Sequence, residues 1–180
     1  MKTRNLVITA LFTALTAVCA QIAVPVPISA VPVTLSTLAV FLTGSMLDRR
    51  SAFYAQLAYL LLGGFGIPVF AGFQGGFARV LGPTGGYLAA FPLMAYLTAL
   101  IIEKSKTFKS AAGIVGMAAS LLLCYTIGTA WLALSAKMSL FEAFLAGVAP
   151  FILPDLLKIA AAAAVCAPVK RAVKSRETVR

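Results

Sequence analysis

The sequence predicts an all-α protein: an integral membrane bundle of six transmembrane helices with both termini in the cytoplasm. Three observations carry that expectation. Of 180 residues, 61% are apolar and only 11% charged, whereas roughly a quarter are charged in a soluble domain. The uncharged residues fall in runs near the length of about 20 that a helix needs to cross a hydrocarbon core. The charged residues stand between these runs, and six crossings use up the length, so residues 1–180 read as a single membrane domain.

Leu6 to Val24 gives nineteen uncharged residues after Lys2 and Arg4, enough for the first crossing. It is expected to stay as a span and not to be removed as a secretory leader, because it is long for a leader and further spans follow. Pro25, Pro27 and Pro32 then make a link that cannot continue a helix. Val33 to Leu47 is a second, short apolar run ending at Asp48-Arg49-Arg50. The third helix is expected from Ser51 to about Leu62. Nine of the fourteen glycines fall between Gly63 and Gly86, which predicts a long non-helical connection to about Pro83. Thr84 to Ile102 reads as the fourth helix, and Glu103 to Lys109 as a charged hairpin. Ser110 to Leu134 is the fifth. Leu140 to Val169 is the sixth, with bends expected at Pro150 and Pro154.

Short loops on the cytoplasmic side carry the excess of Lys and Arg. With both ends inside, twelve basic residues lie in the cytoplasm and only Arg79 and Lys137 outside, leaving Lys158 within the membrane. The net charge of +10 is thereby an orientation signal, and no nucleic-acid partner is implied. The bilayer is the expected surroundings.

Several function classes lose their usual supports. The chain has no histidine, so His-ligated metal and His general-base chemistry are not expected. Lys104, Lys109 and Lys174 precede serine but none follows glycine, so there is no P-loop and no ATPase of that kind. Cys19, Cys124 and Cys166 sit apart in apolar runs and read as small hydrophobes. A Gly-x-Ser-x-Gly elbow is also missing. A membrane enzyme with Asp155 as base lacks a nucleophile, and a secondary carrier would show repeats with matching broken helices. The expectation is a substrate-binding membrane subunit that is not an enzyme and needs no cofactor.

Asp155 and Lys158 are the candidate floor of a binding site. Charges within a membrane cost roughly 2.5–3.5 kcal/mol on insertion scales and mark functional sites. Three residues apart on a helix, the two share a face and offer an acceptor beside a donor. That pairing suits a small polar group carrying both N–H and C=O. Pro154 is expected to open the turn above Asp155. Arg79, alone in the glycine-rich connection, is a candidate clamp for a carboxylate, or alternatively an interfacial arginine. Gly85 and Gly86 would bring backbone donors near a ligand. Tyr87 can stack and donate from its hydroxyl. Gln21, Gln56 and Gln74 are uncharged candidates, for the ligand or for helix–helix hydrogen bonds. Ala10 and Ala14 form a small-xxx-small pair that admits a close helix from a partner.

The motifs resemble a family. Gln21-Ile22, Pro25-Val26-Pro27 and Val31-Pro32-Val33-Thr34-Leu35 are similar to the first loop of the BioY family, the biotin-specific S components of energy-coupling-factor (ECF) transporters. Gly66-Ile67-Pro68-Val69-Phe70-Ala71-Gly72, Gly75-Gly76 and Gly82-Pro83-Thr84-Gly85-Gly86-Tyr87-Leu88 resemble its signature. Pro150-Phe151-Ile152 and Pro154-Asp155-Leu156-Leu157-Lys158 resemble its last-helix motif. The likeness runs from about Ala10 to Val169. Ser36, where the family often has glutamine, and Phe73-Gln74, where small residues are more usual, depart from it.

The resemblance implies a six-helix subunit of the prokaryotic cell membrane that binds biotin from outside. It would work with a transmembrane coupling (T) protein and two cytoplasmic ABC-type ATPases, which alone would use ATP. It implies that Asp155 and Lys158 contact the ureido ring and that the loop region meets the valerate carboxylate. It also implies that Ala10 and Ala14 touch the coupling protein.

Overall fold

A computed structural model describes residues 3–25, 31–105 and 109–178. Residues 26–30 of the proline link lie outside the described residues, as do Lys2, Lys106 and Arg180. The chain is mostly helical. It runs α1 (Thr3–Gln21), two short strands β1 (Ala23–Val24) and β2 (Val33–Thr34), then α2 (Ser36–Met46) and α3 (Arg49–Gly64). Next come α4 (Phe77–Leu81), α5 (Gly85–Lys104), α6 (Lys109–Ala136), α7 (Leu140–Gly147), a 3-10 turn (Ala149–Phe151) and α8 (Ile152–Thr178).

Four segments are long and apolar enough to cross a membrane: Thr3–Gln21, Gly85–Lys104, Ala111–Ala136 and Leu140–Val169. The helix expected over Val33–Leu47 is shorter than its apolar run, because Val33 and Thr34 pair antiparallel with Val24 and Ala23. The eleven residues left in α2 span only about 16 Å at 1.5 Å per residue. The Asp48 side chain starts α3 by accepting the N–H groups of Arg50 and Ser51 at 3.1 and 3.0 Å. Partial burial pushes that carboxyl up, but the donors of Ser51 and Arg50 outweigh it and hold it below its ordinary value.

Two further expectations are corrected. The connection from Gly63 to Pro83 is not wholly non-helical: Gly76, at φ +98°, turns the chain into α4, which carries Arg79. Few residues other than glycine adopt that angle. The last span breaks at the 3-10 turn around Pro150 and not at Pro154. Pro154 is the third residue of α8, where a backbone N–H has no partner inside the helix in any case. It therefore opens no turn; the interruption lies one turn earlier.

Polar side chains tie the first three helices together. Gln56, fully buried on α3, donates from Nε2 to the hydroxyls of Thr16 on α1 and Thr43 on α2, both at 2.9 Å. Thr13 donates to the Ala55 carbonyl at 2.8 Å. The core lies between these helices and α5, α6 and α8, around Phe41, Tyr59, Phe91, Met94 and Met117. Ala10 and Ala14 lie on the outer face of α1, exposed beside Leu11 and Val18.

Candidate functional site: a buried ion pair beneath two small cavities

Asp155 and Lys158 face inward from the first turns of α8 and are 3% and 7% exposed, although α8 is otherwise apolar there. Their Oδ1 and Nζ atoms are 2.6 Å apart. The pair does not stand alone. Thr37 of α2 donates to Asp155 Oδ1 at 3.2 Å and accepts from Lys158 Nζ at 3.0 Å. Tyr125 of α6 donates to Asp155 Oδ2 at 2.8 Å. The carboxylate also sits in the first turn of α8, the positive end of the helix dipole, which favours a negative charge.

Three helices thus hold one carboxylate through three donors. This is the arrangement in which a buried ion pair repays its desolvation: good geometry with the remaining lone pairs occupied. Hydrogen bonds to a charged group contribute about 1.5–3 kcal/mol. Tyr125→Phe is accordingly expected to lower stability by about that much, seen as a lower unfolding temperature in detergent, with no change in a Tyr54→Phe control.

Above the pair lie two neighbouring cavities. One, of about 60 Å³, is lined by Thr37, Cys124, Tyr125, Phe151, Asp155 and Lys158 among others. The other, of about 90 Å³, reaches Ser36, Tyr59, Phe70, Gln74 and Arg79. Both share Val31, Pro32, Thr34, Tyr87 and Phe91. Ligand sites usually measure about 300–1,000 Å³. A ligand reaching from Lys158 to Arg79 therefore has to part the shared wall and join the two spaces.

The structure brings together Asp155, Lys158, Tyr87, Arg79 and Gln74 around these cavities. Arg79 forms no ion pair with any described residue, and it is partly buried in the cavity wall. Tyr87 contributes its ring to both spaces, but its hydroxyl already donates to the Gly147 carbonyl at 3.2 Å. That carbonyl sits at the end of α7, just before the break at Val148.

Three expected site residues are placed elsewhere. Gln56 is enclosed among α1, α2 and α3 and is not part of the described cavity lining. Gly85 and Gly86 begin α5 and are also absent from that lining. A Cβ on Gly85 would lie 1.7 Å from the Val80 carbonyl oxygen, and one on Gly86 2.2 Å from Trp131 Cβ. These glycines let α4 and α6 press against α5. Gln21 is likewise structural. Its Nε2 donates to the Val69 and Phe70 carbonyls, and its Oε1 accepts the Phe73 N–H at 2.8 Å.

The residues not singled out from sequence are Tyr125, Thr37, Tyr59 and Phe91; Thr34 and Ser36 figure there only in and beside the first-loop motif. A threonine is ordinary in membrane helices because its hydroxyl can bond its own backbone, and a tyrosine because most of its side chain is apolar. Only the distance to Asp155 sets Tyr125 and Thr37 apart.

Taken together, a helical membrane bundle with a buried, hydrogen-bonded ion pair and, lining the adjoining cavity, an arginine without an ion pair among the described residues is a membrane-embedded solute-binding protein. The family follows from comparison: the BioY family model matches residues 1–175, and the chain belongs to the BioY family. It is 44% identical over 162 residues to the "Probable biotin transporter BioY" of Pyrococcus horikoshii, covering 90% of this chain and 93% of that protein. It is 40% identical to "Biotin transporter BioY2" of Lactococcus lactis subsp. cremoris, covering 87% and 85% of the two chains. The fold matches a crystal structure of the S-component for biotin from an ECF-type ABC transporter, with a TM-score of 0.87. The match covers 94% of this chain and 92% of that one at 22% identity.

Proposed function

We propose that the chain is the substrate-binding S component of an ECF-type biotin transporter. The observation that carries this is the buried Asp155–Lys158 pair facing one of two adjoining cavities, the other of which is lined by Arg79. Biotin has a ureido ring with two N–H groups and one C=O at one end and a carboxylate at the other. The ring's N–H suits Asp155 and its C=O suits Lys158. Phe91 and the Tyr87 ring supply apolar faces for the rest, Arg79 meets the carboxylate, and Gln74 stands beside it. Gln56, Gly85 and Gly86 support the walls and make no contact with the ligand.

The chain lies in the prokaryotic cell membrane as six crossings with both ends in the cytoplasm. Its short α2 and α3 count as two of them, and biotin enters from outside. No cofactor takes part. The exposed Ala10 and Ala14 face of α1 receives a transmembrane coupling protein, and two cytoplasmic ABC-type ATPases hydrolyse ATP. The bundle itself has no engine and no catalytic role.

Equilibrium binding of biotin to the purified subunit in detergent tests the reading. Saturable binding supports it, and a folded protein that does not bind biotin overturns it. The carboxylate end is tested separately. Arg79→Gln is expected to weaken biotin about 10- to 100-fold, the size of a charge-assisted bond, while the affinity for biotin methyl ester changes little. Equal losses for acid and ester would remove Arg79 from the carboxylate.

A further inference from the structure

A second feature lies away from the biotin cavity, on the outer surface where α3 begins. A groove of about 310 Å³ between α3 and α5 is lined by Arg50, Phe53, Tyr54, Leu93 and Tyr96. Tyr54 is 51% and Leu93 42% exposed, so the groove opens outward from the bundle. Phe53 packs edge-on against both Tyr54 and Tyr96, with ring centroids 5.9 and 6.4 Å away, which fixes the two tyrosines on either side of it.

The polar groups of this groove, a guanidinium and two phenols, can all donate and have no partner among the described residues. Neither Tyr54 nor Tyr96 uses its hydroxyl in a hydrogen bond with a described residue, and the Arg50 guanidinium forms no ion pair among them. The neighbouring charges are already engaged. Arg49 pairs with Glu103 at 3.5 Å, and Asp48 accepts the Arg50 and Ser51 N–H groups. No carboxylate lines the groove. A guanidinium and two phenols beside apolar walls call for an anionic, acceptor-rich group attached to a hydrocarbon. Phenols lie at the membrane interface with the ring in the apolar layer and the hydroxyl toward the headgroups. Basic pockets between transmembrane helices take anionic headgroups.

We propose that this groove is a binding site for one anionic phospholipid, its phosphodiester on Arg50 with Tyr54 and Tyr96 alongside, and an acyl chain along Phe53 and Leu93. The site is separate from the biotin reading, and biotin affinity is not its readout. The full chain is reconstituted in vesicles of equal parts phosphatidylglycerol and phosphatidylcholine, extracted, and the retained lipid counted by native mass spectrometry. The parent is expected to keep phosphatidylglycerol in preference to phosphatidylcholine. Arg50→Gln is expected to lower that preference by about tenfold, the loss of a charge-assisted bond. Arg4→Gln, with the same change of net charge, leaves it intact, and Tyr54→Phe with Tyr96→Phe lowers it in part.

Equal retention of the two lipids by the parent, or an unchanged preference in Arg50→Gln, overturns the site. Displacement of the lipid by millimolar inorganic phosphate overturns the lipid in favour of a free anion. If Arg50→Gln leaves the lipid ratio alone but abolishes assembly with the coupling protein, the groove is a protein contact and the lipid proposal fails.

Discussion

Removing both charges of the Asp155–Lys158 pair together, as Asp155→Leu with Lys158→Met, is expected to abolish biotin binding while the bundle stays folded. The reasoning rests on how buried pairs respond to damage. Deleting one partner strands the other charge and costs about 3–5 kcal/mol, whereas replacing both by apolar residues of similar size is often neutral or stabilising. Asp155→Ala or Lys158→Ala alone would therefore lose binding and stability at once, and the loss of binding could not be assigned to the site.

The double variant separates the two effects. Two charge-assisted hydrogen bonds to the ureido ring represent about 3–6 kcal/mol, so affinity falls by more than about 100-fold. Thermal unfolding in detergent should fall less than in either single variant, because no charge is stranded, although the Tyr125 and Thr37 hydroxyls lose their partner. Binding of biotin at the parent affinity by the folded double variant would show that the pair serves only the fold.

Gly85→Ala is expected to have the second largest effect, although it adds one methyl group and Gly85 touches no ligand in this reading. The new Cβ would lie 1.7 Å from the backbone oxygen of Val80 and 3.2 Å from Trp131 Nε1. A side chain could rotate away, but a backbone carbonyl cannot, so the chain from α4 to α5 must shift. The shift strains the bond that Trp131 donates to the Gly82 carbonyl at 2.8 Å. It also moves Val80 and, with it, Arg79. Overpacking of this kind costs about 1–3 kcal/mol, and biotin affinity is expected to drop with it.

Gly64→Ala is the control, because its Cβ meets only Val80 Cγ2 at 3.7 Å, an ordinary contact. A Gly85→Ala protein that unfolds and binds like the parent would disprove the close approach of α4 to α5.

The two effects show what the sequence could and could not reveal. Asp155 and Lys158 stood out because a charge inside an apolar run has no cheap explanation. Tyr125 and Thr37, which complete the same cluster, are indistinguishable from other hydroxyls until the helices are placed. The glycine concentration between Gly63 and Gly86 was visible, but its meaning was not. Some of these glycines turn the chain at positive φ, while Gly85 and Gly86 serve close packing, and both uses look alike in sequence.

Pro150 and Pro154 posed a similar ambiguity. Proline breaks a helix in its interior and starts one in its first turn, and only the position of the 3-10 turn decides between them. In sequence Gln56 fits a ligand contact or a helix tie equally, and its two hydroxyl partners at 2.9 Å place it among the helix ties.

The engagement of Asp155 by Lys158 at 2.6 Å also has an electrical consequence. On the proposed reading the ion pair sums to zero, and Arg79 holding the ligand carboxylate in the adjoining cavity would do the same. Moving a net charge through the membrane potential involves about 2.3 kcal/mol per 100 mV, but a neutral assembly of fixed dipoles feels almost none of it. On that reading the site and its ligand add no net charge to whatever moves, so the membrane voltage acts only on charges elsewhere in the chain.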